Sequence, residues 1–299
     1  MAAYRFESSL ATLDRQDDDQ VLQEEEGIAL IDPPSGPVLL LGDSHGDAGA
    51  LAYALRELEL AGGDTLIQLG DFGWFTGRNG GPPDFAVKVS KIAVRLNKRV
   101  LWFRGNHENQ WSLGYRENAY PTEPLEVLPN ITFLPDGIRF LWNGTRVVVV
   151  GGGVSVDKGQ PWRAFGTGWW PEETIHPEVA EMIKSDGPAD VMLSHDCPSG
   201  VTLHGSYQAD GESASAFNST NILESKMHQR VVRDIVEAVQ PKYLYHGHYH
   251  TRRDEDLVLT SGQVCHIVGL NMSGPLPPQE GASILVNEHF RINKENHDN

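Results

Sequence analysis

Five short apolar runs in this chain each stop at a small residue and then at side chains able to ligate a metal. Val38-Leu39-Leu40-Leu41 runs into Gly42-Asp43-Ser44-His45, and Thr65 to Leu69 runs into Gly70-Asp71. Arg99 to Phe103 leads to Gly105-Asn106-His107, Ala189 to Leu193 leads to Ser194-His195, and Tyr243 to Tyr245 leads to Gly247-His248 with His250 two positions on. Apolar runs this short and uniform read as strands buried on both faces. Helical spacing lies between them, over Ala48 to Leu60, Asp84 to Leu96, Glu178 to Lys184 and Leu223 to Val239. Val147 to Val150 is a further strand ending in three glycines, and Ala282 to Ile292 suggests closing strands. Alternating strands and helices imply an α/β fold class, and such sheets form their sites just beyond the carboxyl ends of the strands.

Residues 1–36 read as an acidic preamble, with Asp17-Asp18-Asp19, Glu24-Glu25-Glu26 and the turn Asp32-Pro33-Pro34-Ser35-Gly36. Apolar Ile28, Leu30 and Ile31 leave room there for an early strand. Residues 37–293 read as one domain and 294–299 as a polar tail.

Residues two apart in an extended segment face the same side. Asp43 with His45, and His248 with His250, are therefore expected to aim as pairs. Carboxylate, imidazole and amide oxygen donors suit Mn, Fe, Zn, Ni or Co better than thiolate-loving metals. Asp43, His45, Asp71, Asn106, His195, His248 and His250 are more ligands than one tetrahedral zinc needs. Two divalent ions about 3.5–4 Å apart, sharing a carboxylate, account for them economically.

The ordered set GDSHGD (42–47), GDFG (70–73), RGNHE (104–108), SHD (194–196) and GHYH (247–250) resembles the calcineurin-like metallophosphoesterase superfamily over residues 37 to 272. That resemblance implies a four-layer αββα sandwich that hydrolyses a phosphomonoester or phosphodiester. It implies that Asp43, His45 and His250 hold one metal, that Asn106, His195 and His248 hold the other, and that Asp71 bridges them. The ions would lower the pKa of a water to supply hydroxide and would neutralise the phosphoryl oxygens. His107 would act as general acid, and Asn106 and His107 would also touch the substrate. One departure stands out. Many relatives carry an Asp three positions after the bridging Asp, where it orients the catalytic His, followed by an Arg that grips phosphate. Here Trp74 and Phe75 occupy those positions. The protein Ser/Thr phosphatase signature is thereby broken, and Glu108 becomes a candidate orienter of His107.

The loop from Asp157 to Arg163, with Trp169 and Trp170, serves either as a substrate wall, with Arg163 on phosphate, or as a cover over the core. Asp47 is a natural helix N-cap. Asp196 either supports a ligand His or makes a turn, and His246 falls outside the matched motif and reads as structural. The polar stretch from His204 to Asn221 is either a lid or a plain loop. Cys197 and Cys265 are too few for a disulfide framework and read as small buried residues.

A net charge of −17 argues against tracking extended nucleic acid, which calls for a basic face. A small phosphorylated, nucleotide-like compound or a nucleic-acid end fits better. The chain has neither an apolar run of about 20 residues nor a basic-then-apolar leader, so the expectation is a cytoplasmic protein without membrane partners. The alternative is a catalytically retired scaffold that binds a protein partner. The complete ligand set and His107 weigh against it.

Overall fold

The computed structural model describes residues 28–75, 81–203, 217–274 and 279–292. Most of the acidic preamble, residues 204–216 of the polar stretch, and the tail from 293 lie outside them.

Two sheets stack face to face. In the first, β2 (Val38–Leu41), β3 (Thr65–Gln68), β4 (Arg99–Trp102) and β6 (Ile131–Phe133) run parallel. It is closed at its edges by antiparallel β13 (Ser283–Val286) beside β2 and β5 (Leu125–Leu128) beside β6. In the second, β8 (Thr145–Val150), β9 (Val191–Ser194), β10 (Tyr243–His246) and β12 (Val264–Gly269) run parallel. Antiparallel β7 (Arg139–Trp142) and β11 (Arg253–Val258) flank them. β1 (Ile28–Ala29) adds to β7 in parallel, so the end of the expected preamble belongs to the sheet, with Ala29 and Ile31 against the core.

Uniformly apolar strands follow from this stacking, because each strand must feed a core on both faces. Along β2, Val38 and Leu40 enter the core between the sheets, while Leu39 and Leu41 face the helices. β8 does the same, with Val147 and Val149 inward and Val148 outward. Helices α1 (Ala48–Leu60) and α2 (Asp84–Leu96) cover the first sheet, and α3 (Pro177–Ser185) and α4 (Ser219–Val239) cover the second. The result is the expected αββα sandwich. Each fully buried Leu or Val in these layers contributes roughly 1.5–3 kcal/mol.

α1 starts where Asp47 accepts from Gly49 N and Ala50 N at 2.8 and 3.0 Å, the N-cap role expected of it. Its buried Leu51, Ala54, Leu55 and Leu58 lie on one face at helical spacing. Among the described residues no helix is long and apolar enough to cross a membrane. Both cysteines are buried and free.

Candidate metal centre

Loops leaving β2, β3, β4, β9 and β10 bring the candidate ligands together where the carboxyl ends of both sheets meet. Donor atoms of Asp43, His45 and His250 lie within 4.8 Å of one another, as do those of Asp71, His195 and His248. Asp71 stands between the groups. Its Oδ2 is 3.9 Å from His45 Nε2, and its Oδ1 is 3.4 Å from His195 Nε2. Asn106 Oδ1 lies 3.1 Å from His195 Nε2 and so joins the second group.

Asp43 and His45 do meet, with Oδ2 and Nε2 3.7 Å apart, whereas His250 joins that group and His248 joins Asp71 and His195, so the second pair does not aim at one point. Neither arrangement comes from strand alternation. β2 ends at Leu41 and β10 at His246, before the ligands begin. His45, Asp71, His248 and His250 all have left-handed backbone, with φ of 45, 55, 70 and 49°. Strain of this kind, about 1–3 kcal/mol per residue, persists where the surroundings over-determine it and clusters at functional sites. Neighbouring glycines allow the close approach. A Cβ on Gly105 would overlap Asp71 Oδ1 and His195 Nε2, and one on Gly247 would overlap Asp43 Oδ1.

The donor set fits cations. His195 Nδ1 is 2.8 Å from Leu69 O, which can only accept, so Nδ1 carries a hydrogen and Nε2 is the nitrogen that could give its lone pair to a cation beside Asp71 and Asn106. His45 Nε2 and His250 Nε2 lie 3.2 Å apart, with Asp43 Oδ2 at 3.7 and 2.9 Å from them. Lone pairs and carboxylates converging this tightly repel unless positive charge sits among them. Burial disfavours the charged form of His195, yet Asp71 and Asp43 override it and push its pKa up to about 10. A dication relieves the same excess of negative potential. The groups Asp43, His45 and His250, and Asp71, His195 and His248 with Asn106 beside them, could each hold a cation.

His107 lies beside this array, its ring 4.9 Å from that of His45 and its backbone N donating to Asp71 Oδ1 at 2.7 Å. Burial lowers its pKa to about 4, with Arg163 and His45 adding to the effect against Asp71. Glu108 does not orient it. That buried carboxylate accepts instead from Gly73 N at 2.9 Å and Gly105 N at 2.6 Å, latching two ligand loops together. Burial and nearby Asp71 push its pKa up to about 8. Trp74 stacks on Trp102 in the helix-side core, away from the reacting groups.

Arg163 departs from the expected phosphate grip. Its side chain is 4 % exposed and does not line the cavity; Nη1 lies 3.1 Å from His107 Nδ1, and Nε donates to Asp157 Oδ1 at 3.0 Å.

A cavity of about 750 Å³ opens from the ligands. Its lining includes apolar Val154, Val156, Val201 and an exposed Trp162, and one face of α4 adds Ile222, Lys226 and Gln229. Of the tryptophans on this loop, Trp162 therefore faces the cavity, while Trp170 is buried in the body of the protein.

Sequence reasoning named Asp196 as a possible support and missed the others. Ser155 Oγ accepts from Asn106 Nδ2 at 3.0 Å and donates to Glu173 Oε2 at 2.5 Å. Asp196 accepts from His228 Nδ1 at 2.7 Å and from Tyr249 Oη at 2.6 Å, joining α4 to the last histidine loop rather than supporting His195 directly. His246 keeps a structural contact, Nδ1 to Gly247 O at 2.9 Å. Tyr249, set between two ligand histidines, carried the one local signal that could have been read.

A 99-residue stretch is 35% identical to Shewanella-like protein phosphatase 1 of Plasmodium berghei (strain Anka), covering 30% of this chain and 27% of that protein. The match thus spans about a quarter of the relative's length. Among solved structures, a protein from Thermus thermophilus aligns with TM-score 0.47 at 15% identity over 79% of this chain and 89% of its own. A dimetal phosphatase from Danio rerio aligns with TM-score 0.43 at 13% identity over 81% and 88%. The family model for calcineurin-like phosphoesterases matches residues 36–252, a span that takes in every candidate ligand from Asp43 to His250. On that match, the chain belongs to the calcineurin-like phosphoesterase family.

Proposed function

We propose that this protein hydrolyses phosphate esters of small molecules at the centre built on Asp71. The observation that supports this most directly is that the two Asp71 oxygens face different ligand groups, 3.9 Å from His45 and 3.4 Å from His195, which would let one carboxylate serve both. Two bound divalent cations supply Lewis-acid charge for the phosphoryl oxygens and a lowered pKa for a water.

The chain's own groups do the rest. Asp43, His45 and His250 on one side, and Asn106, His195 and His248 on the other, are held by backbone and carboxylate contacts before substrate arrives. Such preorganisation avoids reorganisation cost during reaction. His107, lining the cavity, presents its ring to the leaving oxygen as hydrogen-bond and proton donor. Asn106 sits against the same phosphoryl position. The leaving portion lies along Val154, Val156 and Trp162, a wall suited to a planar or apolar group such as a nucleobase. The net charge of −17 weighs against a long polyanionic partner.

The test is metal-dependent turnover of p-nitrophenyl phosphate and bis-p-nitrophenyl phosphate across Mn, Fe, Ni, Co, Zn and Mg, alongside nucleotides and cyclic nucleotides. EDTA and Asp71→Asn are each expected to abolish it. Metal-replete protein inert toward the whole panel would overturn the reading.

A further inference from the structure

The position from which relatives orient the catalytic His with an Asp is filled here by Trp74, which packs in the core. His107 nevertheless has a partner. We propose that Arg163 is the positioning residue for His107 and that it fixes the ring in the tautomer opposite to the one an Asp would select. The proposal rests on the role given to His107 above.

A guanidinium has only donors. With Arg163 Nη1 at 3.1 Å from His107 Nδ1, that nitrogen must accept, and Nε2 is left to carry the hydrogen into the cavity. An Asp at Nδ1 would take the Nδ1 hydrogen and leave Nε2 as the acceptor. Arg163 is in turn held on every side. Nε donates to Asp157 Oδ1 at 3.0 Å, Nη1 also reaches Gly168 O at 2.5 Å, and Nη2 donates to Ser155 Oγ. Ser155 is the residue that accepts from Asn106 Nδ2 at 3.0 Å, so one guanidinium fixes both the proton donor and a metal-ligand amide. With Arg163 4 % exposed and these contacts made, it is built as a strut. That is why it is absent from the cavity lining although its neighbour Trp162 is present.

The experiment compares wild type, Arg163→Met, His107→Ala and the double variant on p-nitrophenyl phosphate, whose leaving group needs little protonation, and on glycerol 2-phosphate, whose alkoxide needs it. Arg163→Met is expected to lower kcat on the glycerol ester by about a hundredfold, the lower end of what a positioned acid contributes. On the aryl ester it should cost only a few-fold, with KM unchanged on both, and it should cost nothing further in the His107→Ala background. Equal losses on both esters, or a raised KM with kcat retained, would overturn the proposal, the latter by making Arg163 a phosphate ligand. If Arg163→Met does not fold, Arg163→Lys takes its place. An ammonium cannot span all four acceptors, so the same leaving-group pattern is expected in weaker form, and its absence would count against the proposal. Nitrogen NMR of His107 in wild type provides a readout without turnover, with an unprotonated, hydrogen-bonded Nδ1 expected and a protonated Nδ1 fatal. Should the wild type turn over neither ester, the phosphoesterase reading fails, and the NMR result still decides the Arg163 pairing.

Discussion

Tyr249 Oη donates to Asp196 Oδ1 at 2.6 Å, and this contact ties the loop carrying His248 and His250 to the strand end carrying His195. Gln229 Nε2 donates to the same hydroxyl at 2.6 Å and anchors the pair to α4. Because both neighbours of Tyr249 are candidate ligands in left-handed backbone, the phenol braces a strained turn.

Tyr249→Phe removes that brace while keeping the ring. Metal retention is expected to weaken about 10–100-fold, the usual effect of losing a support to ligating residues. Stability should fall by about 1–3 kcal/mol, because Gln229 and Asp196 lose a buried partner. Competition with a chelator, read by elemental analysis, checks the first, and thermal melts check the second.

Gly105→Ala tests the packing of the centre without touching a ligand. The backbone there needs no left-handed conformation, so the added methyl acts only through its overlap with Asp71 Oδ1 and His195 Nε2. We expect a folded protein, destabilised by about 1–3 kcal/mol, that has lost metal binding and turnover together. Retained metal content in the alanine variant would refute the close packing.

Glu173 provides a pH signature. Burial, against hydrogen bonds from Ser155, pushes its pKa up to about 7. The native state therefore holds this proton more tightly than the unfolded chain, whose glutamate titrates near 4.3. Its contribution to stability is whole below that value and is lost as pH rises through about 7. Glu173→Gln cannot titrate, so its unfolding free energy relative to wild type, read from denaturant melts, should climb between pH 4.5 and pH 7.5, by an amount on the order of a few kcal/mol. A constant difference across that window would contradict the assignment.

Trp162 is 69 % exposed and lines the cavity wall, so its loss should cost binding more than folding. Trp162→Ala is expected to raise KM for aryl or nucleoside phosphates several-fold, in line with about 0.5–1.5 kcal/mol for an aromatic contact. The glycerol ester should keep its KM, and stability should stay within about 0.5 kcal/mol. Steady-state kinetics on the two substrate types separates these outcomes.

The layered core was legible in the chain because burial on two faces leaves a local mark. Val38 to Leu41 and Val147 to Val150 must be apolar at every position, whereas α1 and α2 need an apolar stripe on one side only. The edge strands β13 and β1 left an apolar trace, but β11 and β5 were not legible. β11 alternates half-buried and exposed polar residues over Arg253 to Asp256 and buries only Leu257, and β5 buries no residue fully, so neither carries a buried pattern to read. β1 is two residues long and exists only because Ile28 and Ala29 find β7.

The candidate ligands were visible as residue types at strand ends, since their chemistry lies in the side chain itself. The route by which they converge was not, because left-handed turns at His45, Asp71, His248 and His250 aim them where strand alternation would not. The supports were further out of reach. Arg163 meets His107 across 56 residues, and Tyr249 meets Asp196 across 53. The sequence by itself determined which strands and helices are buried and which atoms can hold a cation. Only the tertiary structure decided who steadies those atoms, because a hydrogen bond between two loops depends on how two sheets stack, and no local pattern of residues encodes that distance.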